Sequence, residues 1–240
     1  MMERKLSEAH EAQEQNVELS ESVQKKRKIV VPGEIIASGE DYLPSEGARR
    51  IGNEIVASRF GLAEEAGRVI KVIAITGAFI PRRNNVVIGR VTNVTFNGWV
   101  LDIDYASSAF LPIEECPHFI NKSEMTQFLD IGDTIVAKIW AINKRGIDLS
   151  IKSRGLGKLE HGFIFRIGPN TVPRVIGREG SMVGMIKEKT QCNITIGQNG
   201  WVWIKGNTSE EEIKARKIIE FISENVSVDG LTEKVEEMLS

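Results

Sequence analysis

The stretch VIGREGSMVGMI, residues 175 to 186, sets Gly177 and Gly180 between an apolar approach and an apolar run. Glycine reaches positive φ and admits another backbone or a ligand at close range, so the pair predicts a tight turn that opens a helix and aims free amides at an anion. Arg178 adds a charge that suits a phosphate there and Glu179 adds one that repels it. A tight helix-to-helix turn without a ligand is therefore an equal alternative. A second candidate is electrostatic. Lys138, Lys144, Arg145, Lys152 and Arg154 crowd a short span that holds one acid, Asp148. Such a strip can follow a phosphate backbone without reading sequence, and the alternative is an ordinary solvated face.

Other chemistries lack their residues. His10, His118 and His161 have no carboxylate, cysteine or nucleophile at an interpretable spacing, and the adjacent Glu114 and Glu115 would point apart on a strand. Cys116 and Cys192 match neither a disulfide framework nor a paired zinc knuckle, which suggests a reducing compartment. No nucleotide-binding loop or metal cluster is recognisable. The expectation is a chain with no enzyme activity, no metal and no cofactor. The 31 basic side chains stand against 33 acidic ones for a net charge of -2. A nucleic-acid-binding domain is usually basic overall, so any such site here must be local. The opening MMERKLSEAHEAQEQ has no apolar core for a signal peptide, and no apolar run reaches the length of a membrane span. A cytoplasmic protein without membrane contact is expected.

The candidate residues sit in a chain that changes character several times. Residues 1–28 carry six acidic and six basic side chains with few apolar ones, ending in Lys25, Lys26, Arg27 and Lys28. They cannot bury enough apolar surface to offset ordering entropy, so a mobile tail is expected, its basic run solvated rather than bound to phosphate. Residues 29–80 read as short β runs broken by recurrent glycines, a small β domain. Residues 82–154 hold longer strands in the number of a five-stranded barrel, with Ile147, Leu149 and Ile151 alternating against Asp148, Ser150 and Lys152. After a GLGK linker, Gly155 to Lys158, residues 159–228 mix strands and helices, with Gln198, Asn199 and Gly200 turning a hairpin. A capping box from Ser209 to Glu212 predicts a firm helix. Residues 229–240 form a tail or a weak helix.

The order of elements in residues 159–228, with its Gly-x-x-Gly loop, resembles a type I KH domain, whose loop clamps single-stranded nucleotides. The segments IGRVTNVTFNGWVLDI, AFLPIEE, FLDIGDTIVAKIWAIN and IDLSIKS resemble an S1 domain, an oligonucleotide-binding barrel. Where S1 domains offer stacking residues this chain has Asn97, Val100 and Pro112, and Phe96, Trp99, Phe110 and Trp140 read as core rather than platform. The fold class expected is multidomain, mainly β plus α+β. The domain order, with IVVPGEIIASGEDYLPSEGARRIGNEIVAS and ITIGQNGWVWIKG, is similar to the RNA-binding cap subunit of the archaeal exosome, the ribosomal RNA-processing protein four family. Gly197, Asn199 and Gly200 match that family's Gly-x-Asn-Gly signature, whose local chemistry is a hairpin turn. The resemblance implies a non-catalytic subunit. Copies of it, or of a related cap subunit, form a trimeric cap on a hexameric phosphorolytic ring, bind single-stranded RNA with a preference for adenine-rich tails, and promote 3′ to 5′ degradation. It also implies that the first domain docks on the ring and that Lys144, Arg145, Lys152 and Arg154 face the RNA path.

Overall fold

Residues 27–225 and 230–239 are described by a computed structural model, and they fold as two compact units, one ending at Ile75 and one beginning at Thr76. The expected mobile tail lies outside the described residues as far as residue 26. Its last two residues depart from the expectation, because Arg27 and Lys28 begin a strand, pairing with Glu64 and Ala63. The ladder supplies backbone partners that composition alone cannot reveal, and the Lys28 ammonium sits 2.6 Å from Glu34.

The first unit is all β. Strands β1 (Arg27–Val30), β6 (Gly61–Ala66), β7 (Val69–Ala74) and β3 (Leu43–Pro44) form one sheet, and β2 (Ile35–Ser38), β5 (Glu54–Ala57) and β4 (Ala48–Ile51) form another. Val30, Ala57, Ala63 and Val72 make its small core. The opposite face of the first sheet carries two partly exposed apolar rows separated by a charged pair. Ile29, Leu62 and Ile73 form one cross-strand row, and Leu43 and Val69 form another. Glu64 and Lys71 pair between the rows at 2.7 Å.

The second unit begins with a closed barrel of β8 (Val86–Thr95), β9 (Gly98–Asp102), β10 (Ala109–Pro112), β11 (Thr134–Asn143) and β12 (Gly146–Ser150), closed by the pairing of β11 with β12. Alternation fills it: Val87, Val91, Leu101, Leu111, Ile135, Ile139, Ile147 and Leu149 point inward around Trp99. A short helix α1 (Met125–Phe128) plugs one end through Met125, and Trp99 donates its indole N–H to Leu129 O at 2.8 Å. The expected linker is not slack. Gly157–Lys158 forms a two-residue strand β13 on β11, and Leu159 N donates to Thr134 O at 2.9 Å.

The rest of the unit is a three-stranded antiparallel sheet in the order β14 (Phe163–Arg166), β16 (Trp201–Lys205), β15 (Asn193–Ile196). Helices α2 (Val172–Ile176), α3 (Ser181–Thr190) and α4 (Ser209–Glu224) cover one face, burying Val175, Ile186, Ile218 and Ile222 against Phe165, Val202 and Ile204. The fold is mainly β with an α+β end, as expected. The final segment is more than a tail. Helix α5 (Leu231–Leu239) buries Leu231, Val235 and Leu239, spaced at four residues, in the same core. The α4 cap is shifted by one residue from the expected Ser209–Glu212 box. Thr208 accepts from Glu211 N and Glu211 from Thr208 N, each at 3.3 Å, while Glu212 accepts from Gly206 N. The run TSEEE offers two overlapping boxes, and the first is used because Thr208 takes the extended backbone a cap needs.

Candidate nucleic-acid interface

The basic strip lies on the β11–β12 hairpin and on the chain that follows it. Lys144 and Arg145 are the two residues between these strands and both are exposed, so the hairpin tip carries two adjacent cations. Lys138 is opposite Ser150 in the ladder, and cross-strand partners project on the same face, so Lys138, Ser150 and, two residues on, Lys152 share a side. The seven residues from Gly146 to Lys152, the first five of them in β12, span about 20 Å if extended throughout, room for several nucleotides. Arg154 is exposed beyond the strand.

Two features modify the strip. Lys152 is engaged by an acid from another element: its ammonium lies 3.0 Å from Glu115 Oε1. Partial burial works to raise the Glu115 carboxyl, but hydrogen bonds from Ser150 and Lys152 and the Lys152 charge outweigh it and hold the pKa below the ordinary value. Asp148 accepts a hydrogen bond from Asn143 at 2.7 Å, which fixes the hairpin beside its cationic tip. Arg82 and Arg83 extend the basic surface, since they precede the strand whose first residue, Val86, is opposite Lys138. Their adjacency was visible in the sequence, but only the ladder register brings them to the strip.

The aromatic residues divide. Trp99 is buried in the core and Phe110 is half-buried, in line with a structural role. Phe96 and Trp140 are not core. Phe96, 76% exposed, stands in the tight turn between β8 and β9, where no neighbouring strand can cover it, and the Lys122 ammonium lies 3.5 Å from its ring centre. Trp140, 43% exposed, falls at a bulge in the β11–β12 register, and the extra residue swings it out of the inward alternation. Phe119, 88% exposed, is a further open ring that sequence patterning did not single out.

The Gly-x-x-Gly loop joins α2 to α3. Gly177 has φ of 77°, and a Cβ there would stand 2.7 Å from Met182 N and Cβ, so the turn itself demands glycine. Gly180 has φ of 80° with open space where a Cβ would point. Arg178 and Glu179 are both exposed, and Glu179 is itself left-handed at φ 53°. The loop thus sets an exposed cation and an exposed carboxylate side by side.

The Gly-x-Asn-Gly turn has a different role, which turn chemistry alone does not reveal. It docks the three-stranded sheet on the barrel. β9 ends its pairing at Asp102 opposite Arg90, leaving the backbone groups of Val86 and Ile88 without a strand neighbour on that side. Gln198 and Asn199 take the missing strand's place. Gln198 N donates to Val86 O at 2.8 Å while its side chain accepts from Val86 N at 3.0 Å. The Asn199 carboxamide accepts from Ile88 N at 3.2 Å and donates to Ile88 O and Ile103 O, each at 2.8 Å. Asn199 is fully buried. A Cβ on Gly197 would lie 2.8 Å from Ile88 N, and one on Gly200 2.4 Å from Ile167 O, so neither position admits a side chain. Around this polar staple the open face of the sheet, through Trp203, Trp201 and Ile164, packs on Ile88 and Val136 of the barrel.

Comparison with known proteins decides the family. The model of the KH domain family matches residues 162–210. A curated relative from Methanothermus fervidus, named exosome complex component Rrp4, is 40% identical over 216 residues, covering 90% of this chain and 96% of its own. The chain belongs to the Rrp4 family. The Rrp4 of Methanothermobacter thermautotrophicus is 39% identical, covering 89% of this chain and 68% of its own length. A solved structure assigned as an exosome complex RNA-binding protein superposes with a TM-score of 0.61 at 32% identity, covering 68% of this chain and 95% of its own. Among the described residues no group of His, Cys, Asp and Glu is placed to hold a metal ion, and no helix is long and apolar enough to cross a membrane.

Proposed function

We propose that this Rrp4-family chain is the non-catalytic RNA-binding subunit of a cytoplasmic exosome. It sits with two further cap subunits on a hexameric phosphorolytic ring, holds single-stranded RNA with a preference for adenine-rich tails, and raises the efficiency of 3′ to 5′ degradation. The observation that carries the reading is the exposed Lys144–Arg145 tip on an oligonucleotide-type barrel in a chain whose relatives are exosome components. In this arrangement the five strip cations line the RNA path, and the residues from 29 to 80 form the domain that docks on the ring. The partly exposed apolar rows of Ile29, Leu62 and Ile73, and of Leu43 and Val69, supply the kind of surface that contact needs. A net charge of -2 suits a protein that meets mostly protein and keeps its positive charge local.

Replacing Lys144, Arg145, Lys152 and Arg154 together with alanine tests the assignment in the reconstituted particle. Each lost phosphate contact flattens the dependence of log affinity on log salt by about 0.7 for single strands. Lys152, shared with Glu115, contributes the least. Unchanged affinity and slope would overturn the role of the strip. The isolated chain is expected to bind short RNA poorly and the assembled cap about a hundredfold better or more, through effective concentration alone.

A further inference from the structure

A cleft of about 480 Å³ opens at the rim of the seam between the barrel and the KH sheet. One wall is Trp201 and Ile164 from the sheet, and the other is Ile88, Arg90 and Asp102 from the barrel. Its chemistry is unlike that of the strip. Of the four tryptophans, Trp99 and Trp203 give their indole N–H groups to Leu129 O and His161 O. Trp201 is only half-buried, and among the described residues its N–H meets no acceptor. Arg90 and Asp102 are opposite one another in the β8–β9 ladder, so both side chains leave the same face, yet they form no ion pair. Each is held from elsewhere. Arg90 Nε donates to Gly132 O at 3.2 Å, and Asp102 Oδ1 accepts from Asp104 N at 2.8 Å. That leaves the terminal nitrogens of Arg90 and the second oxygen of Asp102 without a partner among the described residues, and both residues line the cleft. The neighbouring acid is already compensated, because Asp104 Oδ2, which no hydrogen-bond donor meets squarely, is neutralised by the Arg166 guanidinium.

The Arg166 guanidinium stands 5.8 Å from the Trp201 ring centre, which leaves the other side of the indole for a ligand. That side, the Arg90 cation and the Asp102 carboxylate, beside Ile88 and Ile164, match three parts of one ligand. The indole takes the flat face of a base. Arg90 takes a phosphate. Asp102, an acceptor only, takes a hydrogen-bond donor on the base edge. Adenine, cytosine and guanine present exocyclic amines. Uracil turns carbonyl oxygens outward on either side of its single N–H, and those oxygens meet a carboxylate unfavourably. We propose that this seam cleft is a nucleotide-binding site, separate from the basic strip, that selects bases carrying an exocyclic amine. The site is complete within one chain and depends on neither the strip nor assembly on a ring.

The test is calorimetry or saturation-transfer NMR on the full chain at low salt with AMP, CMP, GMP and UMP as probes. The three amine-bearing nucleotides are expected to bind with Kd on the order of 1 mM, and UMP about tenfold more weakly. Asp102→Asn keeps the size and the bond from Asp104 N while replacing an acceptor by a donor. It is expected to weaken AMP and CMP about tenfold and to strengthen UMP, which reverses the preference. Trp201→Leu removes the stacking face and is expected to abolish binding. Lys144→Ala with Arg145→Ala is expected to change nothing in this assay. The proposal is overturned if wild-type protein shows no saturable binding up to about 10 mM, if UMP binds as well as CMP, or if Asp102→Asn leaves the preference as it was. It is equally overturned if binding disappears in the Lys144, Arg145 double variant, which would assign the nucleotides to the strip.

Discussion

Truncating Asn199 to alanine should loosen the joint between barrel and KH sheet more than any other single polar change in that seam. The side chain is fully buried and makes three hydrogen bonds, all to barrel backbone: Ile88 N, Ile88 O and Ile103 O. Alanine leaves one donor and two acceptors without partners. A buried polar group stranded in this way costs about 1–3 kcal/mol, and the three share one small site that water can partly enter, so about 3–5 kcal/mol is expected in total. Asn199→Asp is a sharper probe. It keeps the shape and can still accept from Ile88 N, but it turns a carboxylate toward two carbonyl oxygens, so it should be at least as damaging. Urea unfolding of the full chain reports the loss; at a slope of about 2–3 kcal/mol per molar the midpoint falls by about 1–2.5 M. Native-state hydrogen exchange gives the local reading, because the Ile88 amide loses its acceptor while Val91 N, which donates to Asp133 O, keeps its own. A loss below about 1 kcal/mol with Ile88 protection intact would refute the view that this turn completes the open edge of β8.

Further outcomes follow from other parts of the chain. The Glu115 carboxyl is held below its ordinary range, so its contribution to stability is present above the unfolded value of about 4.3 and is lost as pH falls through the folded one; Glu115→Gln should flatten the acid limb of a Tm-against-pH curve, by less than about 1 kcal/mol for so shallow a site. Burial, with the nearby Glu115 and Glu114 charges, pushes the Cys116 thiol up to about 12, and burial raises Cys192 as well. Neither should react with iodoacetamide at pH 8 until urea is added, and mass spectrometry of native protein showing rapid labelling would contradict this. Gly177→Ala should destabilise more than Gly180→Ala, because the first Cβ meets Met182 N at 2.7 Å while the second carries only the left-handed backbone penalty of about 1 kcal/mol. Thermal melts in the reverse order would refute the packing role given to Gly177.

Legibility in the sequence tracked how local the cause was. Alternation in Ile147, Leu149 and Ile151 is a property of neighbours along one strand, and those side chains are buried where the pattern puts them. The Gln198–Gly200 hairpin and the α3 and α4 helices rest on turn residues and spacing within a few positions, and they too were readable. What escaped depends on residues far apart. The Glu115 clasp on Lys152 joins two elements through the barrel closure. The bulge that turns Trp140 outward exists only in the register with β12. The docking role of Asn199 needs β9 to stop at Arg90, two residues short of Ile88, a fact about another part of the chain altogether. The strip was legible as composition, but Arg82 and Arg83 join it only through the pairing of Val86 with Lys138.

The most direct test of the exosome assignment is the absolute mass, by light scattering, of the native particle that co-purifies with the tagged chain. Three cap subunits, this chain among them, on a six-membered phosphorolytic ring is the predicted composition. A lone monomer, or a chain recovered only with ribosomes or polymerase, would contradict it and point to a free-standing RNA-binding regulator.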